Sequence, residues 1–392
     1  MQIRRAAGLL IAAFTVLAAC SSDDTTIGSP VPTTDLTQGS DLSPNDSVPT
    51  DLAVSADATF PADRCEANKA AGTITYLSSY DYAATASIVD VLVAKSKGYF
   101  DALCLDVEIK SSFSTENYPL IAANDAQFSS GGSFSEMVSF AGANDAGYVA
   151  LAVEGRTGID ALITKDGEVP TLADIKGKKI GVKGAITPSV KVMLAKQGLI
   201  EGTDYETVNL DGFDPLVHIE FPGIVGFPGF KSNEPLQLKA ANVPFKLYDP
   251  SDYDIPGSFG VLYTNLAFLQ EHPTAAQDFM RATMRGLSDA IADPAMAAQV
   301  SVDAINANGN ALFLSPEGET ARWGVESTLI GEGVTADAPL GLPLVDQLTT
   351  EVTTYAEAGL FDGETPDISS MVDASVLGGV YDADGTLIWP KS

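Results

Sequence analysis

Three short runs and one carboxylate carry side chains suited to holding a small molecule. The first run is Ser78-Ser79-Tyr80-Asp81-Tyr82. Tyr80 and Tyr82 offer stacking faces, Asp81 accepts from ring N–H groups, and Ser79 adds a hydroxyl. A solvated loop with its tyrosines packed on the surface is the alternative. The second run is Ser129-Ser130-Gly131-Gly132-Ser133. Gly131 lets backbone approach a ligand, and the hydroxyls of Ser130 and Ser133 can bond it. A plain helix cap explains the same residues. The third run, residues 184–189, holds Thr187 and Ser189 where amides at a helix start could take an anionic or polar group. Capping alone accounts for it equally. In Asn233-Glu234-Pro235, Glu234 is the sharpest polar candidate, since a carboxylate facing a ligand binds an amine or protonated ring nitrogen. Its alternative is a helix start, with Pro235 in the first turn. Met280 and Met284 read as core, Trp323 as core with a lid aromatic as its alternative, and His218 as core or surface.

Other chemistries are disfavoured. The chain has 392 residues and only two histidines, His218 and His272. A histidine-rich metal site or a His-based catalytic centre is not expected, and no GxSxG nucleophile turn occurs. No enzyme activity, cofactor or metal is therefore expected. Lys+Arg 22 against Asp+Glu 52 leaves a formal charge of −30, opposite in sign to a nucleic-acid-binding surface.

The elements that must position these runs alternate between strand and helix. Residues 73–77 have strand composition, and Ile88, Val91, Leu92 and Lys95 recur at helical spacing before a stop at Gly98. Residues 105–109 alternate as a second strand. Residues 126–132 run from a strand into a small-residue loop, and 148–153 form another apolar strand. Residues 172–182 read as a helical turn, a glycine stop and a strand. Thr187 then N-caps a helix with Pro188 at its first position. Strands follow near 206–210 and 222–228, and amphipathic helices over 272–292 and 344–358. This alternation predicts an α/β fold with mostly parallel sheets. Ligands in such sheets sit outside the carboxyl ends of strands, which is where the three runs fall.

The N-terminus reads as an address. Arg4-Arg5 precede an apolar run shorter than the ~20 residues a spanning helix needs. The run ends Leu17-Ala18-Ala19-Cys20, which resembles the bacterial lipobox. The resemblance implies a signal peptide over residues 1–19 and a diacylglyceryl lipid on Cys20. Residues 20–64, rich in Ser, Thr, Asp and Pro, are expected to form a disordered acidic tether of roughly 35 Å reach. Setting Cys20 aside leaves Cys65 and Cys104, an even remainder in an oxidising compartment, and so a disulfide rather than two buried thiols.

Several longer motifs occur in a family order. Ala94-Lys95-Ser96-Lys97-Gly98-Tyr99-Phe100, followed by Leu105-Asp106-Val107-Glu108-Ile109, is similar to a stretch of the periplasmic-type solute-binding proteins of the nitrate/sulfonate/taurine and thiamine-pyrimidine-precursor group. Residues 174–182 (DIKGKKIGV), Asn233-Glu234-Pro235, Leu262-Tyr263-Thr264-Asn265 and Glu271-His272-Pro273 resemble further elements of that group. Cys104 departs from the pattern, which usually has glycine before the leucine. The resemblance covers about residues 72–365. It implies a two-lobed type II periplasmic-binding-protein fold, with mostly parallel sheets flanked by helices and two crossing segments. Lobe one is expected over 65–160 plus 255–392 and lobe two over 161–254, with crossings near 162–164 and 246–254. Tyr253, near the second crossing, would close over the ligand.

The implied function is an extracytoplasmic, lipid-anchored receptor of an ABC importer. It would capture a thiamine pyrimidine precursor or a riboflavin-like heterocycle by hinge closure. Its expected partners are the small-molecule ligand, a permease and an ATPase, with the membrane met only through the lipid and the receptor acting as a monomer. Nitrate, taurine or an alkanesulfonate is the alternative ligand class, and a sensing lipoprotein uncoupled from transport is the alternative role. Eukaryotic pyrimidine-precursor synthases share the fold, but their cysteine-rich motif has no counterpart here.

Overall fold

The structure, a computed structural model, describes residues 52–144, 146–309 and 314–391. The expected signal peptide, Cys20 and most of the tether lie outside these residues. In chain order the first elements are α1 (Ala62–Ala70), β1 (Thr73–Leu77), α2 (Val89–Ser96), α3 (Tyr99–Ala102), β2 (Asp106–Lys110), α4 (Ser114–Ala122), β3 (Phe128–Gly131), α5 (Phe134–Asn144) and β4 (Tyr148–Gly155). A second group follows: β5 (Asp160–Lys165), β6 (Lys179–Val182), α6 (Pro188–Lys196), β7 (Glu206–Asn209), α7 (Pro215–Glu220), β8 (Gly226–Phe230), α8 (Glu234–Ala240) and β9 (Phe245–Tyr248). The chain then returns through β10 (Phe259–Asn265), α9 (Leu266–Glu271), α10 (Pro273–Ala292), α11 (Pro294–Asn308), α12 (Pro316–Gly331), α13 (Val345–Glu357) and α14 (Ala374–Gly378).

The strands form two five-stranded sheets, ordered β2-β1-β3-β10-β4 and β7-β6-β8-β5-β9. Each sheet with its helices makes one lobe of an α/β fold. Each sheet is mostly parallel, as expected, with four strands running one way and one antiparallel strand that makes it mixed. β10, arriving from lobe two, enters antiparallel between β3 and β4. β5, arriving from lobe one, lies antiparallel between β8 and β9. Strands joined by helices within a lobe pair in parallel. The direction of each crossing strand is set by entry from the other lobe, which local sequence does not encode.

Local chemistry explains most element ends. α2 stops at Gly98, whose φ of +72° suits glycine. α6 starts at Pro188, which needs no N–H there. All eight residues of β4 are buried, as in strands covered on both faces. The 20-residue α10 packs Phe279, Met280 and Met284 into lobe one's core, where Phe128 stacks on Phe279 with centroids 4.0 Å apart. Trp323 is fully buried there and donates Nε1–H to the Ala290 carbonyl at 2.8 Å. His218 is buried beside Phe227, with Nε2 3.0 Å from the Asp211 carbonyl.

The last part of the expected tether is ordered. Phe60 packs on lobe one's core, and Thr59 bridges to Lys391. The cause is Arg64, a fully buried side chain that pairs with Asp278 at 2.6 Å and donates to the Leu52 carbonyl at 2.8 Å. Arg281 and Asn68 also donate to the Asp278 carboxylate, at 3.0 and 2.8 Å. A buried charge is tolerable only when paired and hydrogen-bonded in this way. Next to Arg64, the Cys65–Cys104 disulfide closes a sequence separation of 39 and fastens α1 to the turn after α3.

The chain passes between the sheets at 156–159 and 249–258. Residues 162–164, expected in a crossing, are instead the middle of β5, and residues 246–248 belong to β9. The two passages meet where Gly158 and Gly257 are in backbone contact. A Cβ on Gly257 would lie 2.7 Å from the Gly158 nitrogen, so neither side chain nor extra volume fits. α13 crosses behind this junction. Leu348 and Val352 pack into a lobe-one cluster, while Tyr355 packs into lobe two's core and donates to the Pro256 carbonyl at 3.0 Å.

Candidate functional site

The first run sits at the end of β1, where the sheet places it at the mouth between the lobes. Asp81 adopts φ +48°, which turns the chain so that Tyr80 and Tyr82 point differently. Tyr82 turns inward and packs with Ile88, Leu92 and Ile305. Tyr80 stays half-buried, edge-on to Phe113 at 5.9 Å and 6.3 Å from Phe213 of lobe two. The buried Asp81 carboxylate accepts from the Ser111 hydroxyl at 2.7 Å, and its N–H donates to the Ser112 carbonyl. The Ser79 carbonyl accepts from the Ser114 N–H at 2.9 Å. Of this run, Tyr80 is the side chain presented to lobe two.

Lobe two answers with residues after β6, β7 and β8. Lys183 lies 4.9 Å over the Phe213 ring and 3.3 Å from Glu234 Oε1. Glu234 Oε2 accepts the Phe230 N–H at 2.8 Å, so its carboxylate holds the turn into α8 as well as pairing with Lys183. The helix start of the alternative reading is present, and the charge is in addition paired. Asn233 Oδ1 accepts from Arg322 of α12 at 3.0 Å, across the two lobes. The Arg322 guanidinium also lies 5.6 Å from the Tyr80 ring and 3.3 Å from Glu319. Ser232 donates to Glu326 of α12 at 2.6 Å, a second bond between lobes. Glu326 further accepts the Ala86 N–H at 2.7 Å and the Thr85 hydroxyl.

Burial sets the titration of this mouth. It raises the Tyr80 hydroxyl, opposed by the Arg322 charge and reinforced by Glu234. It raises Glu326 and Glu319 too, although hydrogen bonds to Glu326 and the Arg322 charge beside Glu319 pull back.

On the hinge side, the N-termini of α5 and α6 come together with α13. Ser133 caps α5 by accepting the Glu136 N–H at 3.2 Å. The Ser135 N–H donates to Glu351 of α13 at 3.1 Å, and the Phe134 N–H to the Ser258 hydroxyl at 2.9 Å. Ser189 at the start of α6 donates to Asp160 Oδ2 at 3.0 Å. Thr187 is the N-cap residue by position, but its hydroxyl makes no capping bond; Oγ1 is buried without a hydrogen-bond partner among the described residues. Burial pushes Glu136 up to about 7, with the Asp160 charge adding. Burial pushes Asp160 up to about 6, offset in part by Ser189 and Lys231. Glu351 is raised by burial, against its serine hydrogen bonds.

The remaining candidates are supports. Ser130 and Gly131 lie within β3, paired to Leu262 and Val261, and the Ser130 hydroxyl lies 3.0 Å from that of Tyr76. Tyr253 packs on lobe two's core, with Tyr248, Lys246 and Asp252 setting its hydroxyl's surroundings rather than Tyr80 or Glu234. Sequence reasoning missed Phe113, Phe213, Lys183, Ser232, Arg322 and Glu326 at the mouth, and Glu136, Asp160 and Glu351 at the hinge. Only Glu136 carried a signal, the Ser133-x-x-Glu136 spacing of a capping box.

Two α/β lobes joined by two passages, with facing helix N-termini and an aromatic mouth, define a periplasmic-binding-protein fold. Solved structures share it. They include a ligand-binding component of an ABC-type import system from Staphylococcus aureus with zinc bound (TM-score 0.57, 12% identity, 80% of this chain and 99% of that one). The alkanesulfonate-binding protein SsuA from Xanthomonas axonopodis pv. citri bound to MOPS is another (TM-score 0.53, 13% identity, 78% and 97%). At these identities the likeness concerns the fold alone. Residues 85–297 match the family described as NMT1/THI5 like, and the chain belongs to that family. It is also 25% identical over 217 residues to the riboflavin-binding protein RibY of Chloroflexus aurantiacus, a match covering 53% of this chain and 58% of that relative's length.

Proposed function

We propose that the chain is an extracytoplasmic solute-binding lipoprotein of an ABC importer, held to the membrane through Cys20, monomeric and without enzymatic activity. It captures a small heteroaromatic nutrient between its lobes and passes it to a permease driven by an ATPase. The observation that carries this reading is the mouth itself. Tyr80 of lobe one, edge-on to Phe113, faces Phe213 of lobe two, and Arg322–Asn233 and Ser232–Glu326 bond the lobes beside them. Aromatic faces that approach as two lobes close suit a flat ring, and hinge closure is the expected motion of this fold. Membership of the NMT1/THI5-like family and the similarity to a riboflavin-binding protein support the same class.

Nitrate, taurine or alkanesulfonate is the second ligand reading. One observation weighs against it: the first N–H groups of α5, the natural cradle for an oxoanion, are bonded to Ser258, Glu351 and Ser133. A sensing role would use the same cleft with a different protein partner.

The test is thermal melting of the full chain in detergent against riboflavin, hydroxymethylpyrimidine, thiamine, taurine, an alkanesulfonate and nitrate. Ligand at about 100 times its dissociation constant adds roughly 2.7 kcal/mol, a shift of a few degrees. A shift with one heterocycle that is lost in Tyr80→Ala supports the proposal. A shift confined to the sulfonates or nitrate overturns the heteroaromatic assignment.

A further inference from the structure

We propose that the ligand taken by this cleft carries a cationic group, an ammonium or a protonated ring nitrogen, seated among Glu136, Asp160 and Glu351 where α5 and α6 meet α13. The inference rests on the solute-binding reading above and adds the charge class of the solute.

The carboxylate that the sequence offered for such a cation is already answered by the protein, since Lys183 lies 3.3 Å from Glu234. Arg322 is likewise engaged with Glu319 at 3.3 Å. Lys231, the cation whose charge reaches Asp160, is paired with Asp249 at 2.8 Å. The three hinge-side carboxylates thus sit together with little counter-charge. Asp160 repels Glu136, and Glu351 repels Asp160. Asp160 is 7% exposed and Glu351 is fully buried.

Two further atoms call for a donor there. Glu351 binds the Ser135 N–H through Oε1, while its Oε2 is buried with no hydrogen-bond partner among the described residues. The Thr187 hydroxyl, two residues before the serine that holds Asp160, is in the same condition. Buried acceptors are ordinarily bonded, and an ionised carboxylate with a free oxygen is costly. An ammonium brings several donors and one positive charge to the same point. An anionic ligand meets the opposite conditions, since the α5 amides are filled and a carboxylate stands at each helix start. Burial raises all three carboxyls, with a neighbouring carboxylate adding at Glu136 and Asp160, and a bound cation would favour their ionised form.

The test measures affinity by calorimetry for two ligands with one ring, an aminomethylpyrimidine and the corresponding hydroxymethylpyrimidine, and for putrescine. The full chain, Asp160→Asn and Glu351→Gln are compared, each checked for a cooperative melt. The expected result is an amine preference of about tenfold or more in the wild type, falling towards unity in Asp160→Asn. Glu351→Gln reports the same loss should Asp160→Asn not fold. Equal affinity for the two pyrimidines, or a preference that survives in both variants, overturns the cationic subsite and leaves the heteroaromatic reading standing. Binding of putrescine alone, lost in Asp160→Asn, supports the subsite and removes the heteroaromatic reading. Binding of no amine overturns the subsite.

Discussion

The Arg322 guanidinium of α12 in lobe one donates to the Asn233 side-chain oxygen of lobe two at 3.0 Å. The same guanidinium stands 5.6 Å from the Tyr80 ring. One side chain therefore ties the aromatic mouth to the bond that joins the lobes. Ser232, the neighbour of Asn233, repeats the tie through Glu326, whose other oxygen holds the loop before α2. These two bonds between the lobes are made by residues that also shape the mouth, so ligand and closure are expected to be coupled.

Ser232→Ala removes a hydrogen bond to a charged acceptor, worth about 1.5–3 kcal/mol in the closed arrangement. The expected outcome is a roughly tenfold or greater fall in the closed-to-open ratio, read by fluorescence energy transfer between labels on the two lobes. The melting temperature should change little if the bond contributes only to closure. Unchanged closure would mean that the Ser232–Glu326 bond does not hold the lobes together.

Gly257→Ala tests the junction of the two passages. Its Cβ would stand 2.7 Å from the Gly158 backbone nitrogen, which cannot move aside as a side-chain tip can. Overpacking of this kind costs about 1–3 kcal/mol, so a lower melting temperature is expected. Gly324→Ala is the contrast: it lies in α12 with nothing within 4 Å of the new Cβ. Helix propensity there predicts a gain of up to about 1 kcal/mol.

Replacing Cys65 and Cys104 together with alanine frees a loop of sequence separation 39. On the chain-entropy model this costs about 3–4 kcal/mol. The melting temperature should fall, while Arg64 keeps α1 docked through Asp278 at neutral pH. Loss of α1 protection in hydrogen exchange would show that the disulfide, not the ion pair, holds this helix.

Asp160→Asn carries a signed dependence on pH. The folded carboxyl is pushed up to about 6 from an ordinary value of 3.8, so the folded state holds a proton that the unfolded chain releases. Stability from this group is fully present below its unfolded value and is lost as pH rises towards about 6. The asparagine variant lacks that loss. Its melting temperature should gain on wild type between about pH 4 and 7, by several degrees for roughly 2–3 kcal/mol, and then stay level. A constant difference across the range would show that the carboxyl titrates normally.

Much of the framework was legible because it is local. The strand at β1, the helix stop at Gly98 and Pro188 at the start of α6 follow from residue type and spacing. Tyr80 was legible for the same reason, as an aromatic beyond a strand's carboxyl end. The directions of β5 and β10 were not, because each depends on passage between lobes. Nor were Phe213 and Arg322, whose approach to Tyr80 spans more than a hundred residues of chain. Residues 52–61 have the composition of a tether but are held by Arg64, a long-range anchor that composition does not reveal. Thr187 has the right type and position for a cap, yet its hydroxyl is unbonded, so the position was legible and the bond was not.

The most direct measurement is calorimetric titration of the panel heterocycle giving the largest thermal shift into wild type and Phe213→Ala. Phe213 is 39% exposed and supplies the lobe-two face of the mouth. Losing one aromatic partner of about 0.5–1.5 kcal/mol predicts affinity weakened roughly threefold to tenfold, with the unliganded melt unchanged. Equal affinity in the two proteins would contradict capture of a ring between the lobes, as would binding by no heterocycle at all.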